Sequence, residues 1–198
     1  MRRRRPDRLD SPSIMLLNAE DSILLVVDLQ PSFLGVIDRG EVVVDRCLFL
    51  AKAARTLGVP IFATEQNPSR MGATLPEIAD LLTRPALPKM AFSCFGAAGL
   101  DDVMRETGRE TVILCGIETH ICVTQTTGDI LSRELWPVLA ADAISARSLQ
   151  MHEIGMARMI DHGASAAHSE SIVYEWMRTA EHPAFRDVLQ IVKAHPAS

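Results

Sequence analysis

The chain has 198 residues, 47% of them hydrophobic, and a formal net charge of −5 at pH 7. A chain of this size can bury one substantial core, and nothing in its composition divides it into two domains. The acidic balance argues against a nucleic-acid partner, because proteins that bind nucleic acids normally present a basic face. No apolar run is long enough to span a bilayer, so no membrane partner is expected either.

The N-terminal segment opens with a basic run of four arginines at positions 2–5. No apolar segment of signal-peptide length follows it. We therefore expect residues 1–12 to form a disordered basic tail and residues 13–198 to form a single domain, with a polyanion-binding arm as the alternative for the tail.

The four cysteines, at positions 47, 94, 115 and 122, form neither a disulfide framework nor a paired metal-ligand spacing. Free thiols are typical of a reducing compartment, so the predicted location is cytoplasmic.

The first predicted elements are a strand over residues 22–28, a helix whose apolar spacing runs from Val43 to Leu57, and a strand over residues 61–64. This order predicts a right-handed βαβ unit. Asp28 would then lie at the carboxyl end of the first strand, where open α/β sheets bind their ligands. An aspartate in this position is equally often a turn former.

Residues 66–88 contain four prolines, which predicts a loop with one helical turn near residues 77–82. Lys89 follows between apolar neighbours. Because burying an ammonium group without a partner is unfavourable, Asp28 would be a suitable partner for it. The alternative is a surface lysine at a strand edge. A helix is predicted over residues 100–107, ending at Gly108.

The run Val112–Leu114 predicts a buried strand, followed by a helix over residues 120–133. Thr119 is the predicted N-cap, which places Cys122 in the first turn, where backbone N–H groups and the helix dipole lower the pKa of a thiol. Cys122 is therefore a candidate nucleophile, with a small core residue as the alternative. His120 as its base is a weaker alternative, because side chains two residues apart on a helix do not face each other.

The last predicted elements are a strand over 136–142, a helix over 149–160, a weak strand over 164–168, a helix opening at Ser169 and a terminal helix over 185–194. The alternation predicts an α/β fold, a three-layer α/β/α sandwich over a mostly parallel sheet. The six histidines form no metal-binding motif, and no phosphate loop or GxGxxG is present, so we predict no metal and no cofactor.

Three blocks of the sequence, residues 28–33, 89–95 and 116–123, resemble in order and spacing the blocks of the isochorismatase-like cysteine hydrolases. The resemblance covers about residues 20–190, and residues 64–77 are most similar to the isochorismatase domain-containing branch. It implies a Rossmann-like fold with the connectivity of the isochorismatase-like hydrolases. It also implies a catalytic triad of Asp28, Lys89 and Cys122. Asp28 would take the thiol proton, Cys122 would attack a carbonyl carbon, and Lys89 would hold and polarise the acid.

The resemblance further implies a non-proline cis peptide bond at Ile117–Glu118 and an oxyanion site made by the backbone N–H groups of Glu118 and Cys122. Such donors stabilise the negative charge that develops on a carbonyl oxygen. The side chains expected to line the substrate pocket are Phe33, Gln66 and Phe92.

Two departures from the family narrow the expected chemistry. Residues 64–68 replace the Asp-x-His metal motif of the nicotinamidase branch, so neither a metal site nor nicotinamide as substrate is expected. The enzymes that cleave isochorismate lack the cysteine, so Cys122 argues against vinyl ether cleavage.

The leading hypothesis is hydrolysis of a small amide (C–N bond) or related carbonyl substrate through an acyl-thioester on Cys122. The resemblance to the family also implies a homo-oligomer (dimer or tetramer). One alternative is a catalytically silent scaffold that acts through oligomerisation or partner binding. Another is a redox sensor that pairs Cys122 with Cys94 or Cys115.

Overall fold

The computed structural model describes residues 15–196, and within them six strands form one sheet in the order β3-β2-β1-β4-β5-β6. Every neighbouring pair is parallel. The strands are β1 Ser22–Val27, β2 Ile61–Gln66, β3 Leu87–Lys89, β4 Thr111–Ile117, β5 Trp136–Ser145 and β6 Ser165–Ala167. The predicted tail (1–12) and the two ends of the predicted domain (13–14 and 197–198) lie outside the described residues.

Helices connect these strands and cover both faces of the sheet. They are α1 Pro31–Leu34, α2 Gly40–Thr56, α3 Pro68–Met71, α4 Pro76–Ala79, α5 Leu100–Thr107, α6 Thr124–Ser132, α7 Leu149–Asp161, α8 Ser169–Met177 and α9 Phe185–Ala194. The predicted three-layer α/β/α sandwich is confirmed, and the sheet is parallel throughout the described residues.

Alternation of side chains along the strands builds a core on each face of the sheet. In β1, Leu24 and Val26 pack in one cluster with buried residues of α2, α8 and α9. Ile23, Leu25 and Val27 point the other way and pack with α5, α6 and α7. All six residues of β1 are buried, which explains the unbroken apolar run in the sequence.

The strand order reverses next to β1. After β1 the chain adds β2 and β3 on one side, then crosses to add β4 on the other side. The carboxyl ends of β1 and β4 therefore lie where the connections diverge, which is where open α/β sheets bind ligands. Asp28 follows β1 and Cys122 follows β4, so the fold brings both to this point.

Two strands extend beyond the bounds expected from the sequence. β2 continues through Gln66, because the expected loop pairs with the edge strand β3. β5 runs on to Ser145, and its register with β4 shifts between Leu114 and Gly116. Both extensions depend on pairing with a strand distant in sequence, which local periodicity does not report.

Candidate active site

The three residues of the predicted triad lie at the carboxyl edge of the sheet. Asp28 is the first residue after β1 and has a left-handed backbone conformation with φ of 50°. Lys89 ends β3. Cys122 lies in a π-helical turn, Thr119–Val123, between β4 and α6.

Lys89 connects the other two side chains. Its Nζ lies 2.6 Å from Asp28 Oδ2 and 3.7 Å from Cys122 Sγ. It also donates to Gln66 Oε1 at 2.7 Å and to the Phe92 carbonyl oxygen at 3.1 Å. The side chain is 0% exposed. The alternative of a surface lysine is therefore wrong: β3 is an edge strand, but Lys89 points into the protein, where acceptors surround its ammonium group.

Asp28 is held by the neighbouring strand as well. Thr64 Oγ1 donates to Asp28 Oδ1 at 2.8 Å and lies 3.3 Å from Cys94 Sγ. The parallel register pairs Val27 with Thr64, which sets this distance. Sequence reasoning assigned Thr64 no role, although a threonine that ends an apolar strand was an available signal.

Gln30, two residues after Asp28, hydrogen-bonds to the end of β2 and to the loop that follows it. Its Nε2 donates to the carbonyl oxygens of Gln66 at 3.2 Å and Gly72 at 2.5 Å, and its Oε1 accepts from the Gln66 N–H at 2.8 Å. Buried polar side chains are normally paired in this way. Gln30 is thus a second structural contributor to the site that sequence reasoning left without a role.

The environment of Cys122 raises the pKa of its thiol to about 12. Burial is the largest cause, the negative charge of Asp28 adds to it, and the positive charge of Lys89 opposes it. The net direction is therefore opposite to the lowering expected from a helix start. Glu118, and not Thr119, stands at the N-cap position, and Thr119 Oγ1 instead shares a 2.9 Å hydrogen bond with His152 Nδ1.

Three further residues were expected as possible partners of Cys122: His120 as a base, and Cys94 or Cys115 in a disulfide. No hydrogen bond among the described residues joins His120 to Cys122, and His120 Nδ1 is buried without a partner. Cys115 packs in the core on the opposite face of the sheet from Cys122, so a disulfide between them is excluded in this fold. Cys94 packs on the same face as Cys122.

An open cavity of about 90 Å³ lies in front of Cys122. The three side chains predicted to contact substrate all line it, together with five further residues: Phe33, Gln66 and Phe92, with Asp28, Ile117, Glu118, Ile121 and Cys122. The Ile117–Glu118 peptide bond in its wall is cis.

Across residues 15–196, no three His, Cys, Asp or Glu side chains converge on a point that could hold a metal ion. No helix in the same range is long and apolar enough to cross a membrane.

Comparison with known proteins agrees with this architecture. The fold is that of the isochorismatase-like hydrolases: YcaC from Escherichia coli, an octameric hydrolase of unknown specificity, superposes with a TM-score of 0.87 over 93% of both chains. At 17% identity this likeness shows the fold alone.

Closer relatives identify the family. Residues 22–171 match the isochorismatase domain. Isochorismatase domain-containing protein 2A of Mus musculus is 37% identical over 174 residues, which cover 88% of this chain and 84% of the mouse protein. The MAR1 ribonuclease from Caenorhabditis elegans is 32% identical, with a TM-score of 0.86 over 92% of this chain and 95% of that chain. The chain belongs to the isochorismatase domain family.

Proposed function

We propose that this protein is a cysteine-dependent hydrolase that cleaves the C–N bond of a small amide or a related carbonyl compound. The observation that supports this most directly is the position of Lys89 Nζ, 2.6 Å from the Asp28 carboxylate and 3.7 Å from Cys122 Sγ. An acid and an ammonium group beside a thiol can form a nucleophile with its base.

The high pKa of the thiol gives Asp28 a defined role. A thiol with a pKa of about 12 is protonated at neutral pH, so it needs a base at the moment of attack. In the first proposed step Cys122 Sγ attacks the carbonyl carbon while Asp28 takes the thiol proton, and the charge moves to the carbonyl oxygen. The backbone N–H groups of Glu118 and Cys122 are the proposed donors to that oxygen, and a donor of this kind contributes about 2.7–4 kcal/mol.

In the second proposed step the C–N bond breaks, and the leaving nitrogen takes the proton that Asp28 holds. An acyl-thioester remains on Cys122. Water then attacks the thioester carbonyl and gives a proton to Asp28, the C–S bond breaks, and the proton returns to the sulfur as the carboxylic acid leaves. Lys89 stays hydrogen-bonded to Asp28 throughout, so its ammonium group compensates negative charge that would otherwise be buried alone.

The name of the nematode relative raises RNA as another substrate. Two observations favour an amide for this chain. The net charge of −5 disfavours a polyanionic substrate. The cavity volume of about 90 Å³ is also small for a nucleotide.

The proposed reaction is tested by trapping its intermediate. The protein is incubated with a panel of small primary amides, ammonia release is measured, and acid-quenched samples are analysed by intact and peptide mass spectrometry. We expect ammonia release and an acyl mass on Cys122, and loss of both in Cys122→Ala. The matched control is Cys47→Ala, since Cys47 lies on the opposite face of the sheet.

Other outcomes of that experiment point elsewhere. Absence of ammonia release and of an acyl adduct across the panel would favour the silent scaffold, and cleavage of a labelled RNA that requires Cys122 would favour a ribonuclease.

The predicted assembly and location belong to the same proposal. We expect a dimer or tetramer, because large apolar side chains such as Val36, Leu149 and Ile154 are exposed. Light scattering behind a sizing column measures this state. All four cysteines are free thiols, which supports the cytoplasmic location.

A further inference from the structure

We infer that the Cys94 thiol is a positioning group for the Asp28 carboxylate, on which it acts through the hydroxyl of Thr64. The inference rests on the proposed function, because it assigns Cys94 to the base of that reaction. Cys94 packs in the same core as Cys122, on the same face of the sheet, and the proposed steps give it no role.

The Thr64 hydroxyl stands between the thiol and the carboxylate. Its Oγ1 lies 2.8 Å from Asp28 Oδ1 and 3.3 Å from Cys94 Sγ. All three residues are buried: Asp28 is 2% exposed, and Thr64 and Cys94 are 0% exposed. Water has little access to these groups, so other protein groups have to satisfy their hydrogen-bonding atoms.

The charge of Asp28 sets the direction of both hydrogen bonds. As a carboxylate paired with the Lys89 ammonium group, Asp28 only accepts, so Thr64 uses its one proton for Asp28 Oδ1. The Thr64 oxygen can then only accept at its contact with Cys94, so the S–H group is the donor there. Burial and the negative charge of Asp28 raise the pKa of the Cys94 thiol to about 11, so the thiol carries this proton at neutral pH.

Cys94 is held in place by the helix that follows the nucleophile. Its backbone N–H donates to Thr126 Oγ1 of α6 at 2.9 Å. Ser93, the residue before it, donates to Asp129 Oδ2 of the same helix. Since α6 begins two residues after Cys122, the helix next to the nucleophile also anchors the thiol that supports the base.

Loss of the S–H donor has a defined consequence for catalysis. Hydrogen bonds that follow one another in a chain polarise each other, so the thiol strengthens the bond from Thr64 to Asp28. Without it, Thr64 Oγ1 loses one of its two partners in a buried place. Asp28 acts in the proposed chemical step and not in substrate binding, so a less firmly held carboxylate should lower kcat and leave KM unchanged.

Raman spectroscopy tests the hydrogen bond without turnover. The S–H stretching band of Cys94 is identified as the band that is lost in Cys94→Ala. A thiol that donates a hydrogen bond has this band at lower wavenumber than a thiol without an acceptor, so the Cys94 band should move to higher wavenumber in Thr64→Val. A band that stays in place would show that the S–H group donates elsewhere or not at all, and would overturn the inference.

Cys47 supplies the internal control for that measurement. Its Sγ lies 3.4 Å from the Ala143 carbonyl oxygen, in the core on the other face of the sheet. Its S–H band should therefore stay at the same wavenumber in Thr64→Val. A common movement of both bands would show that the substitution disturbs the fold as a whole, and would contradict a specific bond between Cys94 and Thr64.

A pair of variants separates hydrogen bonding from packing. Cys94→Ala and Cys94→Ser both reduce the size of the side chain, but only serine keeps a donor for Thr64. For an amide that the wild type hydrolyses, kcat should fall about three- to tenfold in the alanine variant, with KM unchanged. Serine should restore kcat to within about twofold of the wild type. An equal fall of kcat in the two variants would assign the effect to packing and contradict the inference.

A double-mutant cycle tests whether Cys94 acts through Thr64. In the Thr64→Val background, Cys94→Ala should lower kcat by less than about twofold further, because the connecting hydroxyl is already absent. The full loss in that background would show that Cys94 acts by another route. If no amide of the panel is hydrolysed, the proposed function fails, and the Raman shift alone decides whether Cys94 donates to Thr64.

Discussion

Cys122 is 8% exposed, and the pKa of its thiol is raised to about 12, first by burial and then by the charge of Asp28. Such a thiol is inert at rest, because the thiolate is the nucleophile. In the proposed mechanism its reactivity depends on proton transfer to Asp28, which is paired with the Lys89 ammonium group at 2.6 Å. The position of Cys122 near a helix start does not by itself make the thiol reactive.

Asp28→Asn should change labelling and hydrolysis in opposite directions. Removing the negative charge lowers the pKa of Cys122, so iodoacetamide labelling at pH 8 should become about tenfold faster for each unit of that change. Amide hydrolysis should fall about 10²–10⁴-fold, because the base is lost. Labelling rates against pH and steady-state kinetics measure the two effects. A parallel fall of both, with the melting temperature preserved, would contradict the charge of Asp28 as a cause of the raised Cys122 pKa.

Thr64→Val tests whether orientation of Asp28 matters. Valine keeps the shape but removes the donor to Asp28 Oδ1 at 2.8 Å. A hydrogen bond to a charged group contributes about 1.5–3 kcal/mol, so kcat/KM should fall by about tenfold or more. Thr64→Ser, which restores the hydroxyl, should recover most of the activity. Wild-type kcat/KM in the valine variant would show that Lys89 alone holds the carboxylate.

At the scale of elements, the contact between β1 and β4 sets the width of the site. Gly116 has φ of +109°, and a Cβ there would lie 2.2 Å from the Val27 carbonyl oxygen. Only glycine fits this conformation and this approach of two backbones. Val27 is the last residue of β1 and Gly116 the next-to-last residue of β4, so the contact fixes Asp28 and the turn after β4 relative to each other.

Gly116→Ala should therefore lower the free energy of unfolding by about 3 kcal/mol, because both the positive φ and the clash oppose a side chain. The matched control is Gly128→Ala in α6, where a Cβ would meet nothing within 4 Å. That change should raise stability by about 0.5–1 kcal/mol, because alanine favours the helix. Urea unfolding of the two variants compares them, and equal effects would contradict the proposed close approach.

A bidentate pair joins the start of α5 to the end of α6. Arg133 donates to the two carboxylate oxygens of Asp101 at 2.8 and 3.0 Å, and its guanidinium lies 3.9 Å from the centre of the Phe95 ring. These hydrogen bonds from Arg133 hold the pKa of Asp101 below its usual 3.8. Because the Asp101 side chain is 46% exposed, solvent screens the pair, and its contribution is about 1 kcal/mol or less.

The sign of that pKa shift predicts a pH-dependent effect of Asp101→Asn. A carboxyl group with a lowered folded-state pKa stabilises the protein above pH 4, and this contribution is lost as the pH falls through the folded pKa. The variant should therefore be less stable than the wild type at pH 7, and the difference should shrink at pH 2.5. Urea titrations at both pH values measure it. If the stability difference between the variant and the wild type is the same at both pH values, the effect comes from packing and not from the charge of Asp101.

At the scale of the whole molecule, the last helices are tied to the first strand. Trp176 of α8 donates from Nε1 to Ser22 Oγ at 3.0 Å, and it packs in the same core as residues of β1 and β4. Both ends of the described chain thus contribute to one core, which supports the prediction of a single domain.

A single domain should unfold in one transition. Tryptophan fluorescence and far-UV circular dichroism should therefore give the same urea midpoint, because Trp176 and the sheet lose their packing together. Both probes are followed at two protein concentrations, since assembly makes the midpoint depend on concentration. Separate midpoints at the same concentration would contradict a single cooperative unit.

The sequence alone determined the order and type of the main elements. Apolar runs and helical spacing are local patterns, so the helices over 100–107 and 185–194 match α5 and α9 in both bounds. The three sequence blocks also predicted which family the chain belongs to and which residues meet at the sheet edge.

Only the tertiary structure decided which groups contact those residues and in which direction the pKa of Cys122 shifts. The pairing of Lys89 with Asp28, the hydrogen bond from Thr64 to Asp28 and the effect of Asp28 on the Cys122 pKa all join groups more than thirty residues apart in sequence. Desolvation and charge interactions act through space, and their strength depends on distances that strand register and sheet order set. A local pattern can place a thiol at a helix start, but it does not report what surrounds that thiol once the chain has folded.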